Sequence, residues 1–173
     1  NWYGRKMSRP ESKSKIPDFI REYELDISEF ASPPNSFASF NEFFSRKLKM
    51  DARPICEGSQ NLSFPADGRH LGFSNLARTS SIFVKGQCFD LPSLFQSKEL
   101  AEPYENGSLV ISRLCPVDYH RFHFPIDGRA SSPKLINGFL YSVNPIALRK
   151  ELAIFWQNKR YLSFVETKST GRV

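Results

Sequence analysis

The sequence predicts an α+β fold that is mainly β: a flattened antiparallel barrel or sandwich preceded by amphipathic helices. Three observations predict it. Apolar residues in the first third recur at three- and four-residue steps, the period of a helix face. From residue 55 to about 143 the chain breaks into short β-prone runs separated by Gly, Pro and Asn, the texture of small antiparallel strands. The length of 173 residues suffices for one domain with a hydrophobic core, or for a core domain with a helical appendage. The division expected is a helical region over 1–54 and a β-rich region over 55–173.

In the first helix, over 17–30, Ile16, Phe19, Ile20, Tyr23, Ile27 and Phe30 share one face. Pro17 sits in its first turn, and a break is expected near Leu25-Asp26. The second helix opens at Ser39-Phe40-Asn41-Glu42, a capping box whose serine oxygen accepts an early backbone N–H. Phe40, Phe43, Phe44 and Leu48 extend its face until Arg53-Pro54 ends it. Such a stripe ordinarily packs on a core; its other use is to dip into a bilayer. Strands are expected at 62–64, 82–84, 109–114, 121–124, 139–143 and 161–166. A third helix is expected after Asn144-Pro145, with Leu148, Leu152, Phe155 and Trp156 on one face. One pattern occurs twice, sixty positions apart: Pro65-Ala66-Asp67-Gly68-Arg69 and Pro125-Ile126-Asp127-Gly128-Arg129. Both are turn chemistry, and two short matches suggest a duplicated strand-turn-strand unit.

The net charge is +6 and unevenly placed. Lys/Arg outnumber Asp/Glu by ten to eight over 1–54, balance at eight each over 55–144, and exceed them six to two over 145–173. Arg5, Lys6, Arg9, Lys13 and Lys15 face only Glu11, a basic arm suited to an anionic lipid surface. Nucleic acid is disfavoured, because the basic residues do not interleave with aromatics as in sheet or helix-turn-helix readers. No apolar run approaches the roughly 18 residues of a membrane-spanning helix, and no signal-peptide pattern opens the chain. Cys56, Cys88 and Cys115 are odd in number and widely spaced. That argues against a disulfide framework and against a Cys-x-x-Cys site, and fits a reducing compartment.

Chemistry concentrates in residues 113–125, which hold His120 and His123 among Tyr119, Phe122 and Phe124. A histidine pair in a partly dry aromatic setting can have both rings tuned, although a histidine among aromatics is ordinarily structural. On one straight strand their odd spacing would point them to opposite faces. The turn character of Pro116-Val117-Asp118-Tyr119 instead leaves His120 on a rim, with the strand starting near Arg121. A carboxylate on a tight turn, such as Asp67, could orient one imidazole as a base for a Ser or Cys nucleophile. No Gly-x-Ser-x-Gly motif is present.

Ser39 to Leu48 with Arg53-Pro54, Pro65-Ala66-Asp67-Gly68, Lys85-Gly86-Gln87, Arg113-Leu114 through Phe124-Pro125, Val143-Asn144-Pro145 and Asn158-Lys159-Arg160 stand in one order. In that order they resemble the phosphatidylserine decarboxylases, from about residue 16 onward. The resemblance implies a proenzyme that cleaves itself at a Gly-Ser bond in a Gly-Ser-Thr-like motif, leaving a β chain and an α chain headed by a pyruvoyl group. This sequence contains no Gly-Ser-Thr, and its Gly58-Ser59 and Gly107-Ser108 pairs have the wrong position and neighbours. The expectation is therefore a β chain or truncated precursor whose cofactor-forming Ser lies beyond Val173. By the same resemblance Asp67 and His123 are the acid and base partners of that Ser, with Asp127 the competing carboxylate. His120 is the histidine for decarboxylation of phosphatidylserine to phosphatidylethanolamine through a Schiff base. Aromatic walls would help by desolvating the substrate carboxylate. The partners implied are the protein's own α chain, phosphatidylserine and an anionic membrane surface, with room for a homodimer. The location implied is peripheral, on a bacterial or organelle membrane, with 1–54 as docking region.

Two other readings are carried. A zinc hydrolase would take Asp67, His70, His120 and His123 as ligands. A lipid-surface binding domain would keep the fold without catalysis. The decarboxylase reading needs no metal.

Overall fold

A computed structural model describes residues 2–58, 61–77, 90–151 and 153–173. Their contacts form two units that interleave along the chain. The first comprises the residues up to His70 with Ser112–Ile126; the second comprises Leu71–Ile111 with Asp127–Val173. The expected boundary at residue 54 thus lies inside the first unit.

The first unit opens with helices α1 (Trp2–Met7) and α2 (Ile16–Glu22), joined by a 3₁₀ turn at Pro10–Lys15. Pro17 lies in the first turn of α2, where its absent N–H costs nothing. The expected break falls at residues 23–26, where Glu24 adopts φ 49°, and the chain resumes as a 3₁₀ turn at Ile27–Glu29 capped by the Asp26 side chain. A further 3₁₀ turn, Pro34–Ser36, precedes α3 (Phe40–Phe44). At α3 the Ser39 Oγ accepts from the Glu42 N–H at 3.2 Å, while Glu42 Oε2 accepts from the Ala38 N–H at 2.5 Å. The cap is as expected; the length is not. The helix stops at Phe44 rather than reaching residue 53, because residues 47–49 pair with 29–31 instead. Ala31 N–H donates to the Lys47 carbonyl at 3.0 Å, and Lys49 N–H donates to the Glu29 carbonyl at 2.8 Å. Leu48 still reaches the core, which is built on Ile16, Phe30, Phe37 and Phe43, with Phe19, Ile20, Leu25 and Phe40 against it. Edge-to-face contacts of Phe43 with Phe19, Phe30 and Phe37 at 5.7–6.1 Å hold these rings.

β1 (Arg69–Phe73) and β2 (Leu109–Arg113) form one two-stranded sheet, and the chain passes between the units within these strands. The second unit continues with α4 (Leu91–Phe95) and α5 (Lys98–Ala101), capped by Asp90 and Ser97, and a 3₁₀ turn at Glu102–Tyr104. β3 (Arg129–Ala130) and β4 (Lys134–Ile136) follow. Next come α6 (Pro145–Lys150), α7 (Ile154–Gln157), β5 (Arg160–Leu162) and β6 (Val165–Glu166). β3 pairs antiparallel with β6, and β4 with β5. A helix does start at Pro145, with Asn144 Oδ1 accepting from the Ala147 N–H at 2.7 Å, but it ends at Lys150, and Phe155 and Trp156 lie on the separate α7. Arg160 ties the unit together: its guanidinium donates to the carbonyls of Ser93, Leu94, Trp156 and Asn158 at 2.8–2.9 Å.

The α+β class holds. Among the described residues, however, the strands form three two-stranded sheets and no closed barrel or sandwich. The expected strand at 82–84 lies outside the described residues, as does Leu152. Residues 62–64 and 121–124 form no named strand among the described residues, although Ser63 N–H donates to the Pro125 carbonyl and His123 N–H to that of Pro65; 139–143 contributes one isolated bridge, Phe139 to Asn158. The period-2 signal there marks extended chain, and strand status depends on a neighbour that the local sequence does not specify.

Candidate active site

The candidate residues Asp67, His70, His120 and His123 all lie in the first unit. Asp67 sits on the bend that leads into β1. Next to it Gly68 has φ +129°, and a Cβ there would stand 2.5 Å from the Arg113 carbonyl oxygen, so only glycine lets the bend lie against the end of β2. Both Asp67 carboxylate oxygens accept from Nε of Arg53, at 3.0 and 2.8 Å. Nη1 of Arg53 donates to Glu29 Oε1 at 3.0 Å and to the Ala52 carbonyl at 2.6 Å. Hydrogen bonding to Glu29 raises the Arg53 pKa; burial opposes it, and Asp67 adds to the rise. A permanently charged donor thus occupies the carboxylate where an imidazole was expected.

His123 is joined to this turn through the backbone: its N–H donates to the Pro65 carbonyl at 2.6 Å, two residues before Asp67. Its half-buried ring lies beside Tyr119, centroids 6.4 Å apart, and no hydrogen bond to a ring nitrogen is formed among the described residues. Tyr119 is buried, and its hydroxyl accepts from the Leu48 N–H at 3.4 Å.

His120 occupies a different setting. The segment before it turns tightly: Asp118 N–H donates to the Cys115 carbonyl at 3.0 Å, and the Cys115 N–H donates to an Asp118 carboxylate oxygen. This is the expected turn, with His120 beyond it. His120 Nε2 lies 2.9 Å from the Cys115 carbonyl. A carbonyl only accepts, so Nε2 carries the proton and Nδ1 is the acceptor of the neutral ring. Burial pushes the His120 pKa below its ordinary 6.5; the Cys115 carbonyl and Asp118 oppose this, and Arg46 reinforces it. The ring packs on Phe44, centroids 4.0 Å apart. The expected wall of Phe122 and Phe124 is not formed: these residues are 71% and 46% exposed.

His70 shares a hydrogen bond of 2.9 Å with Ser112 Oγ and stacks on Phe64 at 4.0 Å. The proposed zinc set is not assembled: no group of three or more His, Cys, Asp or Glu among the described residues could hold a metal ion. Asp67 is turned to Arg53, His70 to Ser112 and His120 to Cys115. Asp127, the competing carboxylate, is exposed in the second unit and forms no hydrogen bond or ion pair among the described residues.

Three residues escaped sequence reasoning. Arg53 was visible as a helix stop and as part of a family motif, without a partner, and Glu29 was not singled out. Arg46 is 4% exposed, its guanidinium 4.6 Å from the Phe30 ring and 5.0 Å from that of Phe43. Burial lowers its pKa, and Nε and Nη1 have no partner among the described residues. The sequence signal for all three was a charge beside an aromatic stripe, which a solvated face also gives.

A clamped carboxylate, an imidazole with no ring hydrogen bond among the described residues and a neutral imidazole of fixed tautomer define a class: α+β proteins with a candidate site of acid and base groups. The family model for phosphatidylserine decarboxylase matches residues 40–173. The chain is 47% identical over 173 residues to the phosphatidylserine decarboxylase proenzyme of Fusobacterium nucleatum, covering 100% of this chain and 58% of that protein. It is 47% identical over 158 residues to the Chlamydia muridarum proenzyme and 40% over 162 to that of Chlamydia pneumoniae. Those matches cover 91% and 94% of this chain, and 52% and 54% of the relatives. The protein belongs to the phosphatidylserine decarboxylase family, as its ordered motifs implied. The chain spans about half the length of the curated relatives it matches.

Proposed function

We propose that this chain supplies the acid and base residues of a pyruvoyl-dependent phosphatidylserine decarboxylase, which converts phosphatidylserine to phosphatidylethanolamine after self-cleavage of a proenzyme. The observation that carries the reading is the tie between His123 and the Asp67 turn, inside a family-matched segment, with no hydrogen bond to the His123 ring nitrogens among the described residues. A serine hydroxyl is a weak nucleophile and needs such a base, oriented by a carboxylate. Asp67 and His123 fill those roles in the cleavage that generates the cofactor.

The donor set fits the pyruvoyl group, because its chemistry needs one base to build it and a separate proton carrier to use it. When bound, that group supplies the carbonyl that takes up the substrate amine and draws electrons from the carbon losing CO₂. His120 moves the protons. Neutral at rest, its Nδ1 accepts a proton from the substrate ammonium and returns one to the carbon that has lost CO₂, while the Cys115 carbonyl holds Nε2–H. The partner in this reading is the α chain released by the same cleavage.

The first 54 residues serve as a peripheral docking region. Trp2 is 74% exposed beside the basic arm. A cavity of about 530 Å³ opens between α1, α2 and α3, with Phe19, Phe40 and Phe44 on its wall. No helix among the described residues is long and apolar enough to cross a membrane. Neutralising Arg5, Lys6, Arg9, Lys13 and Lys15 should weaken binding to anionic vesicles severalfold, most at low salt. Unchanged binding would remove the arm from docking.

The test of the whole reading is intact-mass analysis of the full-length proenzyme and its His120→Ala variant. Both should yield two chains with a carbonyl-blocked α chain, and only the first should release CO₂ from phosphatidylserine at a normal rate. A wild-type protein that stays uncut and inactive would favour a lipid-binding domain without catalysis.

A further inference from the structure

Arg53 links the Asp67 carboxylate to the packed helical layer, and none of the roles above uses it. Its Nε donates to both Asp67 oxygens at 3.0 and 2.8 Å, and its Nη1 donates to Glu29 Oε1 at 3.0 Å. Glu29 is itself anchored, since its carbonyl accepts the Lys49 N–H at 2.8 Å beside the bridge between Phe30 and Leu48. A guanidinium is planar with donors in fixed directions, so gripping Nη1 aims Nε. The carboxylate is therefore held at a set position on a turn bonded to the His123 backbone.

A plain strap for the turn would be the simpler role, but the turn is already held. Ser63 N–H donates to the Pro125 carbonyl at 3.0 Å, His123 N–H donates to that of Pro65 at 2.6 Å, and Gly68 lies against Arg113. A partly exposed ion pair adds little to stability beyond such contacts. Its orientation is what the turn's own bonds leave free.

We infer that Arg53, backed by Glu29, is a positioning residue for the serine-activating step: it holds the Asp67 carboxylate where it can act on the His123 imidazole and does not touch the reacting atoms. This rests on the roles proposed above for Asp67 and His123. A lysine at 53 would keep the charge but could not serve Asp67 and Glu29 at once.

The test follows cleavage of the full-length proenzyme on denaturing gels for wild type, Arg53→Gln, Arg53→Lys, Arg53→Ala and Asp67→Ala. Turnover of phosphatidylserine per processed chain and Tm are measured on the same samples. Arg53→Gln should slow cleavage by up to about 100-fold, the scale of a small misplacement of a catalytic group. Arg53→Lys should slow it less, and turnover per processed chain should fall far less than cleavage in both. If Arg53→Ala leaves no processed chain, guanidinium ion below denaturing concentration should restore cleavage. Three results would each overturn the inference: wild-type cleavage in Arg53→Gln, a parallel fall of cleavage, turnover and Tm, or an uncut Arg53→Ala that guanidinium does not restore. Normal cleavage in Asp67→Ala would sink the assignment of Asp67 itself. An uncut Asp67→Ala beside a normal Arg53→Gln would sink only the role of Arg53.

Discussion

The two Pro-x-Asp-Gly-Arg turns, one in each unit, have the same local form and different surroundings. Each bends over four residues and enters a strand at its arginine, β1 at Arg69 and β3 at Arg129. In each the glycine lies against a strand-end carbonyl: Gly68 on Arg113 and Gly128 on Glu166, both 2.5 Å from where a Cβ would stand. The aspartates differ. Asp67 is clamped by Arg53 and tied through its turn to His123, whereas Asp127 is exposed and unpaired among the described residues. A repeated local code has produced a repeated backbone, and the use of the carboxylate is set by what stands opposite it.

The strongest way to break this comparison is to exchange the fates of the two carboxylates. Asp67→Ala should slow self-cleavage of the full-length proenzyme by about 10²- to 10⁴-fold, the contribution of a general acid–base pair, and His123→Ala should do the same. Asp127→Ala should leave cleavage within about threefold of wild type, since losing an exposed, unpaired charge is nearly neutral. A gel showing blocked cleavage in Asp127→Ala and normal cleavage in Asp67→Ala would reverse the assignment.

A smaller effect sharpens the likeness of the turns. Gly68→Ala and Gly128→Ala should each lower stability by about 1–3 kcal/mol through the backbone clash. Gly68→Ala should cost about 1–3 kcal/mol more, because of its positive φ. Thermal unfolding of both variants checks the order, and equal losses would remove the strain argument at Gly68.

The smallest effect separates the units by pH. All three histidines lie in the first unit, and burial holds the His120 pKa below 6.5. The unfolded chain therefore binds more protons than the folded one between the folded pKa and 6.5, so stability rises with pH across that window. The His120 contribution is fully present above 6.5 and is lost as pH falls through the lowered value. Hydrogen exchange at several pH values should show protection in the first unit falling on acidification, less so in His120→Ala. An unchanged slope in that variant would exclude His120 as the source.

How much was legible in the sequence follows from the range of each interaction. The Ser39 cap, the start of a helix near Asn144-Pro145, the break after α2 and the turn before His120 were readable, because each depends on residues a few positions apart. The end of α3 was not: the periodicity through Leu48 was a true burial signal, but pairing with residues 29–31 drew that segment out of the helix. At 121–124 no named strand forms among the described residues; Phe122 and Phe124 are exposed, and the ring against His120 is Phe44. The candidates Asp67, His120 and His123 stood out in the sequence as two histidines in one aromatic stretch and an aspartate on a turn, whereas the pairing of Arg53 with Asp67 and Glu29 joins positions 14 and 24 apart and leaves no local mark.

By itself, the sequence determined the turns, the caps, the apolar faces and the family, because these depend on residue order and on contacts a few positions long. Only the tertiary structure decided which aspartate meets an arginine, which imidazole has no ring hydrogen bond among the described residues and which is held neutral. Those outcomes depend on groups far apart in the chain, Glu29 with Arg53 and Asp67, and Phe44 with His120, whose meeting is fixed by packing rather than by any local preference.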